Sequence, residues 1–316
     1  MENRIAMNKV DLVGVVKEHK LKKNQNEKEK KYINGSLIIN CGDSEVTLKV
    51  FVSEKTKKKT DNKTYIVLEK FINEEFLTMA KSKDEAAVVT VRGNGDFTPR
   101  LKEELFVPEG TQQCKTSVGV DLGFGNIYVD EKNKISEEDF KATFDIELYI
   151  KEIEDEVKTV GEEEEETGRA IVKGYVPCFG GSVFPITIMT GIVKDEDGEF
   201  NFAEQIRENI SEGESINLWG DINYLSRVEK IKKGGSLGKA KTEEKITYIH
   251  ELVATGGEVL DSDDEFDEDV IAKAVKERDI QIKEKEDEAL KGNKKNKGLK
   301  KDTNKEGKKE RRRLNF

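Results

Sequence analysis

Histidine and cysteine are scarce in this sequence of 316 residues, which has two histidines and three cysteines. Histidine is the usual acid–base group near neutral pH, so a histidine-rich metal site or a Ser-His-Asp triad is not expected. Cys41, Cys114 and Cys178 are odd in number and far apart, which argues against both a disulfide framework and a zinc knuckle. The sequence therefore predicts no metal, no cofactor and a reducing, cytoplasmic location, the host cytoplasm if the protein is viral.

Long apolar segments and enzyme motifs are also missing. No segment approaches the roughly 18 consecutive apolar residues of a membrane-spanning helix. The N-terminus, MENRIAMNKVD, lacks the apolar core of a signal peptide. No glycine cluster is followed by the Lys-Ser/Thr of a phosphate-binding loop. We predict a protein that is not an enzyme and has no membrane partner.

Charged residues are abundant, at 38% of the chain, and their sign changes along it. The net charge is +5 over residues 1–100, −14 over 101–250, −10 over 251–290 and +9 over 291–316. The total of −10 is therefore an average over basic and acidic segments, and it does not exclude a nucleic-acid partner.

The N-terminal part alternates short apolar segments with polar loops, a pattern typical of strands. It predicts strands at 10–16, 35–40, 46–52, 86–97 and 116–130, a helix at 68–80 and a mobile polar loop at 17–31. Gly14 lies inside the first strand, where glycine permits sharp coiling or a bulge. Five strands with a helix between the third and fourth is the order of an OB-fold barrel.

The same order of elements follows a second time. The pattern predicts strands at 144–153, 169–176, 182–191, 215–225 and 245–254, a helix at 202–210 and an acidic loop at 156–168. The second and third of these strands are joined by a Gly180-Gly181 turn, and Gly220 interrupts the fourth. We interpret this repetition as a second OB-like barrel.

The C-terminal part has a different character. DSDDEFDED surrounds Phe266 with acids, and residues 269–290 have helical composition with a thin apolar stripe of Ile271, Val275 and Ile280. The sequence thus predicts a mainly β protein with two tandem OB-fold-like barrels, followed by a charged helix and a disordered basic tail. The domains would be residues 1–133, 134–257 and 258–316.

One segment has a second interpretation. VGVDLGFGNIYVD resembles the phosphate-binding turn of actin-like ATPases, in which Asp121, Gly123 and Gly125 would hold nucleotide and metal. Such a fold needs a second phosphate loop and an adenosine loop downstream, and neither is found. We favour a strand that closes the first barrel.

The candidate binding residues are those on the polar side of the strands. In VTLKVFV the alternation places Lys49 and Phe51 on one side and the valines and leucine on the other. Arg92 faces outward in the same way from AAVVTVRG, and Lys55, Lys57 and Lys58 follow in the next loop. Aromatic rings that stack on bases, next to cations that contact phosphates, are typical of single-strand binding.

The second barrel supplies further candidates. RAIVKGYV places Arg169, Lys173 and Tyr175 opposite its apolar residues, and SINLWGDINYL places Trp219 outward together with Asn217. Each aromatic could equally fill a core or plug a barrel end. The joint pattern on four strands favours single-strand binding.

These segments resemble the single-stranded DNA-binding proteins of bacteriophages that infect low-GC Gram-positive hosts. The resemblance is carried by VDLVGVVKE, GSLIIN, VTLKVFV and NKTYIVLEKF in the first barrel, and by EETGRAIVKGYV, INLWGDI and YIHELVATGGEVLD in the second. It implies binding of single strands of any sequence during phage DNA replication or recombination, without catalysis.

Members of such families commonly end in an acidic tail with a terminal hydrophobic residue that binds replication partners. Here the acidic segment is internal and the chain ends in RRRLNF. We therefore expect replication or recombination proteins to dock at Asp264, Phe266 and Asp267. The alternative is a scaffold protein that uses OB barrels for protein contacts. Self-association is left open.

Overall fold

The structure, a computed structural model, describes residues 3–93, 98–160, 163–195, 198–233 and 241–302. Within them the chain forms fifteen strands and three α-helices. Most strands belong to one continuous sheet that folds into two barrels, so the prediction of a mainly β protein is confirmed.

The first barrel is formed by the N-terminal strands and one helix. In chain order these are β1 (Asn8–His19), β2 (Lys22–Gln25), β3 (Lys31–Cys41), β4 (Ser44–Ser53), α1 (Lys63–Ile72), β5 (Val88–Arg92), β6 (Arg100–Phe106), β7 (Lys115–Asp121) and β8 (Asn126–Val129). β1 pairs with β3, β3 with β4, and β5 with β1, all antiparallel, whereas β4 and β7 are parallel. β5 and β6 together correspond to the fourth strand of an OB fold, and β7 and β8 together correspond to the fifth. The order in which the strands pair is then that of an OB fold.

The second barrel repeats this arrangement. Its elements are β9 (Lys141–Val160), β10 (Glu163–Pro177), β11 (Val183–Thr190), β12 (Ile192–Asp195), β13 (Gly198–Asn201), α2 (Phe202–Asn209), β14 (Ser215–Lys233) and β15 (Lys241–Val259). β9 pairs with β10 and β14, β10 with β11, and β14 with β15, all antiparallel, whereas β11 and β15 are parallel. The topology therefore confirms two tandem OB-like barrels.

Two of the predicted strand glycines lie where a neighbouring strand approaches closely. A Cβ atom at Gly14 would lie 2.1 Å from the carbonyl oxygen of Asn40, and one at Gly220 would lie 2.0 Å from that of Val253. Next to Gly220 the register of β14 on β15 shifts by one residue. Only glycine fits such approaches, which allow the strands to curve into a barrel.

The alternation predicted for the strands is largely observed. The four inward residues of β4 are buried, and so are Val89 and Val91 of β5. Asn217 is an exception, because it was expected to face outward with Trp219 and is 5% exposed. The segment after β15 covers this part of β14, where the main-chain N–H of Phe266 donates a hydrogen bond to Ser215 Oγ.

Several predicted boundaries were wrong. The sequence predicts loops at the polar segments 17–31 and 156–168, but much of each segment lies in paired antiparallel strands. Main-chain pairing needs no apolar side chains, so the polar composition does not prevent it. The first helix was expected at 68–80 and spans Lys63–Ile72, because the Asn62 side chain accepts from Thr64 N and starts it earlier. Strand β6 was not predicted.

The two barrels are joined by main-chain and side-chain bonds. β1 pairs with β9, with Asn8 opposite Ile146, so the first strands of the two barrels lie side by side. Ser44, the buried first residue of β4, donates to the carbonyl oxygen of Ile222 and accepts from the N–H of Tyr224. The predicted domain boundary near 133 falls between β8 and β9, whereas the one at 257 falls within β15.

After β15 the chain leads to α3 (Glu268–Asp302). Ile271 and Ala274 of this helix are buried, but Ile280 is 55% exposed, so the predicted stripe was wrong at that position. Of the predicted disordered tail, residues 303–316 lie outside the described residues. Helix α3 is long but too polar to cross a membrane, and the other two α-helices that the structure describes, of 10 and 8 residues, are too short.

Candidate nucleic-acid interface

The outer surface of β3, β4, β7 and β6 carries two of the predicted binding residues, Lys49 and Phe51. We call it the front face, and define it by the outward residues of these four strands. They are Tyr32, Asn34, Ser36, Ile38, Asn40, Glu45, Thr47, Lys49, Phe51, Ser53, Arg100, Lys102, Glu104, Phe106, Lys115, Ser117, Gly119 and Asp121. Strand pairing places Ser36 next to Lys49, Lys49 next to Asp121, and Asp121 next to Arg100. An OB fold binds oligonucleotides on the face of its second and third strands, which here are β3 and β4.

An exposed aromatic pair lies on the front face. Phe51 is 65% exposed. Its ring centroid lies 5.0 Å from that of Tyr32 on the neighbouring strand, with the planes inclined by 34°. A ring exposed to this extent gains little from burial, so its apolar surface is available to stack on a base.

The cations of the front face outnumber its acids. Lys49, Arg100, Lys102 and Lys115 share the face with three carboxylates. Glu104 pairs with Lys49, Asp121 lies 3.7 Å from Lys102, and Glu45 pairs with Lys17 of β1. The lysines of all three pairs are at least 40% exposed. Exposed ion pairs contribute only about 0–1 kcal/mol, so a phosphate can replace the carboxylate at small cost.

The predicted loop lysines follow directly after β4. Lys57 and Lys58 are exposed. Lys55 Nζ donates a hydrogen bond to Asp61 Oδ1 at 2.5 Å, and this bond raises the pKa of Lys55. The loop therefore extends the basic surface beyond Phe51 at one end of the front face.

Arg92 lies on different strands. Its guanidinium is 5.3 Å from the ring centroid of Tyr128, which is 46% exposed on β8. β5 pairs with β1 and β8 rather than with the strands of the front face. The pair combines a cation with an aromatic ring, but the strand pairing does not bring it next to Phe51.

The predicted cations of the second barrel are paired with acids. Lys173 lies 3.3 Å from Glu152 and 2.5 Å from Glu154. The hydrogen bond to Glu154 is the main cause of a raised pKa at Lys173. Arg169 lies 2.9 Å from Glu251 and is only 25% exposed. These positive charges are thus largely neutralised by the protein itself.

The two predicted aromatics of the second barrel are partly covered. Tyr175 packs against the core. Trp219 is 39% exposed, and a Cβ atom at Gly256 would lie 2.5 Å from its Nε1, so the indole rests on that glycine. Trp219 lies in register with Asp145, which pairs with Lys9 at 3.9 Å. It therefore belongs to the outer surface of β14 and β9.

The acidic segment predicted as a partner site is folded against the N-terminus. Phe266 is 4% exposed, and the guanidinium of Arg4 lies 4.8 Å from its ring centroid. Arg4 also lies 3.2 Å from Asp264, and the N–H of Asp267 donates to Asn3 Oδ1. In this conformation a partner can reach the two aspartates, but the Phe266 ring is accessible only if the segment is released.

Sequence reasoning missed several residues of the front face, including Tyr32, Arg100, Lys102 and Phe106. Three of these four residues lie on strand β6. A signal was present, because RLKEELF alternates Leu101 and Leu105 with charged and aromatic residues in the period of a strand.

The chain matches the model of one protein family and is similar to several solved structures. The model of a family described as YorF matches residues 6–288. The crystal structure of the wild-type single-stranded DNA-binding protein from Thermus aquaticus is similar with a TM-score of 0.44 and 9% identity, over 82% of this chain and 95% of that one. A deletion mutant of the same protein gives 0.42 and 10%, over 84% and 98%. No match is found among curated proteins.

Proposed function

This chain belongs to the YorF family, and from that starting point we propose that it binds single-stranded DNA of any sequence on the front face of its first barrel. The observation that carries the proposal is the exposure of Phe51. Its ring is 65% exposed, packs beside the ring of Tyr32 and lies on the same strand as Lys49. Bases stack on such rings irrespective of sequence, because every base has a π face.

The charge distribution favours the first barrel over the second. On the front face four cations accompany three acids, of which Glu45 is already paired with Lys17 of β1, and the lysines of the other two ion pairs are at least 40% exposed. In the second barrel Lys173 and Arg169 each lie within 4 Å of two carboxylates. A phosphate approaching those cations would meet acidic neighbours, so its attraction there would be weak.

The wider role follows from the proposed binding. We propose a protein without catalytic activity that covers strands exposed during phage DNA replication or recombination, as the sequence resemblance implies. Replication or recombination proteins would dock at the acidic segment. Asp264 is exposed in this segment, whereas the ring of Phe266 is buried with the guanidinium of Arg4 over it.

A titration tests the proposal. Fluorescence anisotropy of labelled oligo-dT is compared with that of a duplex of equal length, at several salt concentrations. We expect a clear preference for the single strand. If the four cations of the front face each contact one phosphate, log K should fall with log salt with a slope of about −3.

The scaffold alternative predicts a different result. A protein that uses its OB barrels only for protein contacts would not bind oligo-dT even at about 50 mM salt, where phosphate contacts are strong. Equal affinity for duplex and single strand would also contradict the proposal, because base pairs hide the faces that stack on Phe51.

A further inference from the structure

The tips of β6 and β7 project beyond the first barrel. β7 pairs with β4 at Val120 and Asp121, near the base of the hairpin. Further out, residues 103–106 pair with residues 115–118, and we call this two-stranded segment the arm. A two-stranded hairpin is marginally stable by itself in water, so the arm needs support from another element.

Helix α3 lies along the back of the arm. Arg278 makes two hydrogen bonds to the carboxylate of Glu103, one of them from Nε to Oε2 at 2.8 Å. The side chains of this pair are only 14% and 8% exposed. Farther along the helix, Lys285 Nζ donates to the carbonyl oxygen of Leu105 at 3.2 Å, and Glu286 Oε1 accepts from Cys114 N at 2.9 Å.

The opposite side of the arm belongs to the front face. Because successive residues of a strand point to opposite sides, Glu104 and Phe106 face away from Glu103 and Leu105. Phe106 is 44% exposed and lies in register with Lys115. The arm therefore contributes an aromatic ring and a cation to the front face while its back is bonded to α3.

We propose that α3 is part of the DNA-binding site as its support, with Arg278 as a positioning residue that holds the arm so that Phe106 and Lys115 meet the strand. This inference rests on the proposed function. Arg278 itself does not contact phosphate, because its guanidinium is buried and paired with Glu103. Its contribution to binding passes through the position of the arm.

The test uses the full-length chain and three variants. Arg278→Ala leaves Glu103 as an unpaired buried charge, which is strongly destabilising at such sites. The double variant Glu103→Met with Arg278→Met removes both charges, a replacement that buried ion pairs often tolerate. Lys273→Ala is the matched control, because it removes a positive charge from the same helix at a position that is 79% exposed.

Two measurements are made on each variant. Without DNA, Arg278→Ala should accelerate amide hydrogen exchange over 103–106 and 115–118, and the double variant should restore most of the protection. With oligo-dT, Arg278→Ala should weaken binding at least about fivefold, the lower end of the loss of one stacked base. The salt slope should fall by about 0.7, because Lys115 loses its phosphate contact when the arm is displaced, and the double variant should restore both the affinity and the slope.

Each other outcome overturns the inference. Unchanged exchange in Arg278→Ala would mean that α3 does not support the arm. Faster exchange with unchanged affinity would mean that the arm is not part of the site. A double variant that regains the protection of the arm but not the affinity would mean that Arg278 contacts the strand directly. If the wild-type chain does not bind oligo-dT at all, the proposed function fails, whereas the exchange experiment still reports whether α3 supports the arm.

Discussion

Replacing Phe51 with alanine removes the ring on which the proposed site depends. The side chain is 65% exposed and lies 5.0 Å from Tyr32, so its main contribution to folding is one aromatic pair. Such a pair contributes about 0.5–1.5 kcal/mol to stability, which leaves the barrel folded. Loss of one stacked base costs about 1–3 kcal/mol in binding, or roughly 5- to 150-fold in affinity.

The assay is the anisotropy of labelled oligo-dT at fixed salt, with thermal unfolding followed by circular dichroism for each variant. Phe179→Ala is the matched control, because Phe179 is 81% exposed but lies in the turn between β10 and β11 of the second barrel. It should bind as the wild type does, and Phe51→Tyr, which keeps a ring, should bind nearly as well. If Phe51→Ala stays within about twofold of the wild type, or about 0.4 kcal/mol, the assignment of the front face is refuted.

Three further predictions concern the fold. Ser44→Ala should lower the free energy of unfolding in urea by about 1–3 kcal/mol, because a buried N–H and a buried carbonyl lose their partner; a change below that of the exposed Ser53→Ala would contradict the link between the barrels. Burial raises the pKa of Cys41 from 9.0 to about 12. The unfolded thiol therefore ionises first, and stability falls as pH rises above 9, by up to about 1.4 kcal/mol per unit; Cys41→Ala should show a shallower decline between pH 9 and 11, and an identical decline would refute the assignment. Gly256→Ala should displace the indole of Trp219 and shift its fluorescence emission, and an unchanged spectrum would show that the ring does not rest on that glycine.

Much of the fold could be predicted from local patterns. The alternation in β4 correctly placed Lys49 and Phe51 outward, because a strand with one buried face records that face in every second residue. The repeated order of strands and helices indicated two OB barrels, and the topology confirms them. Gly14 and Gly220 were correctly singled out, since close approach of two strands leaves room for glycine alone.

The parts that sequence reasoning missed depend on contacts between distant residues. Glu103 occupies an inward position of β6, where strand alternation predicts an apolar residue. Its partner Arg278 lies 175 residues away in the sequence. Asn217 is 5% exposed, and the main chain of Phe266 bonds to Ser215 two residues away on the same strand, a long-range contact that no local pattern reveals. Lys173 looks available in the sequence of its own strand, whereas its two carboxylate partners come from β9.

Cross-linking tests directly whether a single strand lies on the front face. Ultraviolet irradiation of the full-length chain with oligo-dT, followed by mass spectrometry of the cross-linked peptides, identifies the residues that touch bases. We expect cross-links at Phe51 and Tyr32, and none at the control residue Phe179. Cross-links confined to Tyr175 or Trp219 of the second barrel, or none under conditions in which the strand is bound, would contradict it.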